Sequence, residues 1–192
     1  MKKTLFSLAL TLVFGVSAIA SPIDGEKKEI KTNESTVTWK GYKVAGDHSG
    51  TINLKSGHLM FDGKKLTGGE FTIDMSTLTN TDMEGGAKGK LEAHLKSEDF
   101  FGVENHPTAS LVITKAVPFE KGSKSYTTTG DLTIKGITES VVFVITLYEG
   151  KAVATLKVDR TKFDVKYGSG IIGTAKDKLI YDEFDIVANL KL

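Results

Sequence analysis

A chain of 192 residues, 40% of them hydrophobic, is long enough to bury one full core and short for two. Its 25 basic and 24 acidic residues are interspersed, which excludes the clustered cationic surface that nucleic acid requires. The lack of cysteine excludes disulfides, thiolate chemistry and an acylated N-terminal cysteine anchor.

In chain order, Lys2 and Lys3 precede an apolar run over 5–16, and Ala18-Ile19-Ala20 completes a secretory signal peptide over 1–20, with cleavage predicted between Ala20 and Ser21. The run is shorter than the roughly 20 apolar residues that span a bilayer and ends in small side chains, so no stable membrane insertion is expected. A periplasmic or secreted location follows. The first 20 residues hold two lysines and no acid, which leaves 23 basic against 24 acidic side chains in a near-neutral mature protein. Residues 21–33 are polar and read as a mobile leader, so the folded domain is assigned to 34–192.

From residue 35 onward the pattern is β. Val37 and Trp39 share a face; Ile52 and Leu54 alternate with Thr51, Asn53 and Lys55; Leu59 and Phe61 follow past Gly57; and Phe71, Ile73 and Met75 alternate with Glu70, Thr72 and Asp74. Ala87, Leu91 and Leu95 lie at helical spacing over 87–96 and lead into Phe100-Phe101, which predicts one short helix between strands. Strands are then expected over 109–117, 126–134, 141–147 and 152–158, with tight turns at Lys135-Gly136 and Glu149-Gly150. The glycine-rich, aromatic stretch 160–174 reads as a long loop or helical turn at one end. In the last strand Phe184, Ile186, Ala188, Leu190 and Leu192 share one parity. About eight or nine such one-faced strands fit either a closed antiparallel barrel, which removes every sheet edge, or a two-sheet sandwich.

Four histidines, His48, His58, His94 and His106, lack the i, i+4 or His-x-His spacing of a metal site, and no metal or other cofactor is expected. His94, within the helix, is the one placed to face a barrel mouth. No G-x-S-x-G is present, and Gly168-Ser169-Gly170 lacks the preceding buried strand of a nucleophile elbow. Arg160 is the sole arginine. Its planar fork suits either a fixed ion pair with Asp159 or contact with an anionic headgroup, with Lys162 and Lys166 near in sequence.

Several segments together resemble the YceI family of polyisoprenoid-binding, lipocalin-like proteins. They are Trp39 with His48-Ser49-Gly50, the run His94-Leu95-Lys96-Ser97-Glu98-Asp99-Phe100-Phe101 with Pro107 after it, Gly130-Asp131-Leu132-Thr133-Ile134-Lys135-Gly136, and Asp159-Arg160-Thr161-Lys162-Phe163. The resemblance spans about residues 32 to 192 in order. It implies an eight-stranded antiparallel β-barrel whose lumen holds an isoprenoid or other long-chain lipid, with no catalytic activity. On that implication the wall candidates are Trp39, Phe71, Phe100, Phe101, Phe143, Phe163, Tyr167 and Phe184, and the headgroup candidates are His94, Arg160, Lys162 and Lys166. Small inward residues such as Ala154 and Ala188 would leave room for a tail. The competing readings are an enzyme acting on a lipid in the same lumen and a filled barrel acting as a stress or interaction protein; homodimerisation is compatible with all three.

Overall fold

The computed structural model describes residues 25–192. The expected signal peptide, its cleavage site and the start of the leader lie outside them. Nine antiparallel strands form one sheet: β1 (Glu26–Glu29), β2 (Thr36–Lys43), β3 (Gly46–Asp62), β4 (Lys65–Asn80), β5 (Thr108–Pro118), β6 (Ser125–Ile134), β7 (Ile137–Tyr148), β8 (Lys151–Asp159) and β9 (Ile180–Lys191). Each strand from β2 to β9 pairs with its sequence neighbours, and β2 pairs with β9, with Val37 opposite Ala188 and Trp39 opposite Ile186. That last pairing closes an eight-stranded barrel and decides against the sandwich.

Strand direction sorts the connections onto two ends. The turn after β2, the Lys135-Gly136 turn and the two long connections, 81–107 and 160–179, meet at one end, called the upper end below. Lys135 and Gly136 have φ of 53° and 76°, the paired positive values of a two-residue hairpin that matches strand twist. The lower end is filled by the protein itself. Leu59 and Leu66 are fully buried there, and the Leu66 N–H donates to the Tyr126 hydroxyl at 3.4 Å.

The sequence pattern places the strands but fragments one of them. β3 runs unbroken for 17 residues because Gly57 lies under the Phe71 ring, where a Cβ would come within 2.7 Å of Phe71 Cδ1. Gly57 is thus a close-packing position inside a strand and not a break. A register shift between Leu54 and Ser56 switches the inward parity, so Ile52 and Leu54 face in before it and Leu59 and Phe61 after it. The mobile leader also needs correction. Residues 26–29 pair with 58–61 of β3, the Ile30 side chain is buried, and residues 32–34 form a helical turn. The reason is the length of β3: β2 covers only 46–52, which leaves the remaining edge to β1.

Helix α1 (Gly85–Lys96) packs on β4 across the upper end, with Leu95 buried beneath it. Its anchors are polar. Glu92 accepts from the Thr79 hydroxyl at 2.5 Å and the Asn80 N–H at 2.8 Å, and Lys96 donates to the Ser76 carbonyl at 2.8 Å. The 160–179 connection contains three short 3₁₀ turns, as the glycine content suggests.

Candidate functional site

Inside the barrel lies a cavity of about 310 Å³ whose lining runs from His94 and Arg160 at the upper end down to Val37, Ile145 and Leu190. Its wall is the inward parity of the strands: Val37 and Trp39 of β2, Ile52 and Leu54 of β3, Phe71 to Leu78 of β4, Phe143 and Ile145 of β7, and Phe184 to Leu190 of β9. Ala154 and Ala188 stand opposite each other on β8 and β9 and both line it. Two small side chains side by side recess the wall, which is why space remains in an eight-stranded barrel otherwise narrow enough to fill itself. Leu59, Leu66 and Tyr126 below do not line the cavity, and its lining reaches Lys43, His48, His94 and Tyr181 at the end that carries α1.

The wall is apolar, and it places a high cost on any buried polar group that brings no partner. Trp39 shows how the backbone accommodates it. Its Nε1–H donates to the Thr79 carbonyl at 3.2 Å across the unsubstituted Gly50, where a Cβ would stand only 1.9 Å from that carbonyl oxygen and 2.6 Å from the indole. The Trp39 and His48-Ser49-Gly50 segments are therefore one packing unit.

At the mouth the rings form a collar. Phe100 meets Phe101 edge-on at 5.1 Å between centroids, Phe101 meets Phe184 at 6.4 Å, and His94 meets Phe100 at 5.6 Å and Tyr167 at 4.4 Å. Of the wall candidates, Trp39, Phe71, Phe100, Phe101, Phe143 and Phe184 line the cavity. Phe163 and Tyr167 do not. Phe163 is buried in the 160–163 turn, which packs on β7 and β9, and Tyr167 is half exposed on the outside of His94.

The headgroup candidates divide in the same way. His94 lines the cavity, and its buried Nε2 has no hydrogen-bond partner among the described residues. Arg160 also lines it, but its guanidinium is 2% exposed and serves the backbone. Nε donates to the Tyr181 carbonyl at 3.1 Å, Nη1 to Val165 at 2.6 Å and Nη2 to Ile180 at 3.0 Å. Asp182 lies 3.6 Å from Nη2. Burial lowers the guanidinium pKa and the Asp182 and Asp159 charges oppose that, so Arg160 remains a cation. The expected pairing with Asp159 does not form, because that carboxylate accepts from the Thr161 N–H at 3.0 Å and hydroxyl at 2.6 Å and caps the turn. Lys162 is exposed and Lys166 pairs with Asp164 at 2.6 Å; neither lines the cavity.

Sequence reasoning did not find a polar chain on the opposite rim. Lys43 Nζ lies 2.9 Å from His48 Nε2, and His48 Nδ1 lies 2.9 Å from Asp82. An ammonium only donates, so Nε2 accepts from Lys43 and Nδ1–H donates to Asp82. Its signal was present only as His48 in the Trp39 unit, because Asp82 reaches it through the β3–β4 pairing and not through spacing. Asp82 also accepts from the Ser49 N–H at 2.9 Å and from Asn80. Burial would raise the Asp82 carboxyl, but the bonds from Ser49, His48 and Asn80 outweigh it and bring it down to about 2. A lowered folded value means that this charge stabilises the fold above the ordinary value of 3.8 and that the contribution is lost as pH falls toward 2. Asp82→Asn should therefore flatten the loss of thermal stability over that acid window; melting curves at stepped pH check this, and an unchanged slope refutes it.

Among the described residues no three His, Cys, Asp or Glu side chains converge as a metal would require, and His58 and His106 lie away from the cavity.

Residues 29–192 match the YceI-like domain family. A UPF0312 protein of Vibrio campbellii is 30% identical over 145 residues, covering 73% of this chain and 71% of the relative. One from Pseudomonas putida is 29% identical over 158 residues, covering 79% and 76%. Among solved structures, Burkholderia cenocepacia BcnA superposes with a TM-score of 0.65 at 22% identity, over 84% of this chain and 98% of its own. A polyisoprenoid binding domain from Saccharophagus degradans, implicated in plant cell wall breakdown, gives 0.56 at 8% identity over 84% and 95%. At these identities the structural likeness is one of fold. The extent of the domain match, together with the closed barrel, establishes that the chain belongs to the YceI-like domain family.

Proposed function

We propose that this is an exported, periplasmic or secreted lipid-binding protein that holds a polyisoprenoid or similar long-chain amphiphile in the barrel, for carriage or storage. The cavity carries the reading: an apolar chamber whose lining reaches the rim beside α1 suits a tail with one polar end. A volume of 310 Å³ takes about ten groups the size of a water molecule. Ten methylene-sized groups at about 0.8 kcal/mol each give about 8 kcal/mol, a micromolar affinity before ordering costs. Selectivity from such a wall is for length and girth.

The polar end belongs at the upper mouth, where His94 brings a ring nitrogen without a protein partner. Binding is favoured over catalysis by the state of the rim. His48 has its Nε2 occupied by Lys43 and its Nδ1–H by Asp82, and His94, whose Nε2 is free, has no carboxylate hydrogen-bonded to its ring among the described residues to orient it as a base. The resemblance to a polyisoprenoid binding domain supports the same direction. Extraction of the purified protein with organic solvent followed by mass spectrometry is expected to release a near-stoichiometric lipid; clean blanks over several preparations would remove the proposal.

A further inference from the structure

Among the described residues, five of the ten large apolar side chains that remain exposed lie on the upper rim, and the others, Val112, Val117, Phe119, Val142 and Tyr148, lie on β5, β7 and the turn after β5. Val44, Tyr167, Ile171, Ile172 and Tyr181 stand together on the upper rim, and Ile171 and Ile172 are 61% and 57% exposed. The two isoleucines occupy a 3₁₀ turn, Gly170–Ile172, which is capped by the Ser169 hydroxyl on the Ile171 N–H at 3.2 Å and ended by Gly173 with φ of 77°. That turn is anchored to the cavity wall. The Ile180 N–H donates to the Gly168 carbonyl at 2.8 Å, the Val44 N–H donates to Leu179 at 3.1 Å, and Ile180 and Tyr181 both line the cavity. The sequence thus holds a pair of branched apolar residues outward at the mouth, where water rather than protein surrounds them.

Within the 160–179 connection the charge is predominantly positive: Arg160, Lys162, Lys166, Lys176 and Lys178 stand against Asp164 and Asp177, whereas the 81–107 connection across the mouth is the more acidic of the two. Lys162, Lys176 and Lys178 have no carboxylate within 4 Å among the described residues. Most acids of the same rim are already engaged: Asp164 with Lys166, Asp182 beside Arg160, and Glu183 and Asp185 with Lys157. Asp177 beside the tip, and Glu84, Asp99 and Glu104 on the 81–107 connection farther along the rim, pair with no lysine or arginine among the described residues. An apolar tip flanked by free lysines is complementary to an anionic bilayer, in which the tip enters the boundary between headgroups and acyl chains and the lysines meet phosphates.

We propose that the upper rim is a docking surface for an anionic bilayer, with Ile171 and Ile172 as the inserted element. The mouth of the cavity then faces the membrane, and an apolar tail passes between bilayer and barrel without crossing water. The proposal rests on the reading of the cavity as a lipid site. It makes the 160–179 connection an interfacial element and leaves Arg160 as the clamp that holds it in place.

Vesicle co-sedimentation tests the surface, with phosphatidylcholine alone against phosphatidylcholine containing about a quarter phosphatidylglycerol. The expected result is binding to the anionic vesicles that weakens with salt. Partitioning should fall at least about tenfold in Ile171→Asp with Ile172→Asp. A similar loss is expected in Lys176→Glu with Lys178→Glu, at about fivefold for each lysine. These side chains are exposed, so the variants should melt like the parent. Trp39, the single tryptophan and a wall residue, reports the cavity separately through quenching by soluble farnesol. Quenching without vesicle binding overturns the docking surface and leaves the cavity reading intact, whereas vesicle binding without quenching overturns the cavity reading alone. Equal sedimentation of parent and isoleucine variant overturns docking. So does a dimer in sedimentation velocity that the isoleucine variant abolishes while vesicles go unbound, since the occupant is then a second copy.

Discussion

Arg160→Leu is expected to destabilise the protein by about 3 kcal/mol or more, because three carbonyls lose their donors at about 1–3 kcal/mol for each buried group left unmade. The argument is geometric. Carbonyls of Val165, Ile180 and Tyr181 converge on one guanidinium, so a single side chain joins the end of β8, the turn after it and the start of β9. No other side-chain group offers donors in that fan. Leucine fills part of the volume and satisfies none of the carbonyls. Lysine supplies charge and one compact donor head, and should recover only a minor part of the loss. Urea unfolding measures the free energy, and limited proteolysis of 164–179 should show the connection opening before the barrel does. Parent-like unfolding in both variants would show that water replaces the clamp at no cost.

The same residue illustrates what was legible in the chain. That Arg160 is unusual is visible from composition, since lysine fills every other cationic position. Its role is not, because its partners lie up to 21 residues away and are backbone atoms, which carry no residue identity. The barrel strands were readable because one face of each is buried, so polarity alternates with the pleat. β1 was unreadable for the opposite reason: Glu-Lys-Lys-Glu exposes all four side chains, and it is held to β3 by backbone bonds and the Lys28 ammonium over the Phe61 ring. Strand parity accounts for Trp39, Phe71, Phe143 and Phe184 in the cavity wall, whereas Phe100 and Phe101 reach it from the turn that follows α1. Phe100, Phe101, Phe163 and Tyr167 all sit in irregular backbone, where no period assigns a side, and the first two point into the cavity while the last two do not. The Lys43, His48 and Asp82 chain depends on three segments brought together by sheet register, and spacing along the chain does not encode it.

A charge placed in the wall, as in Phe143→Asp, should expel any apolar ligand, but Phe143 is 4% exposed and the variant also threatens the fold. Filling the space separates the two effects. Ala154 is 5% exposed, faces the cavity and has Ala188 opposite it on β9, so Ala154→Phe directs a ring into the recess that the two alanines create. In a tightly packed core an added ring costs about 1–3 kcal/mol through strain. Here a 310 Å³ space receives it, and the ring gains apolar contact that the empty wall lacks. The expected outcome is an unchanged or higher melting temperature with affinity for long-chain lipid down at least about a hundredfold, the loss of several buried methylene-sized groups. Thermal unfolding and lipid extraction on the same preparation measure both. If the folded variant still carries stoichiometric lipid, the ligand lies elsewhere than the lumen. If melting falls sharply with no lipid in either protein, the chamber is a packing defect of a self-filled barrel.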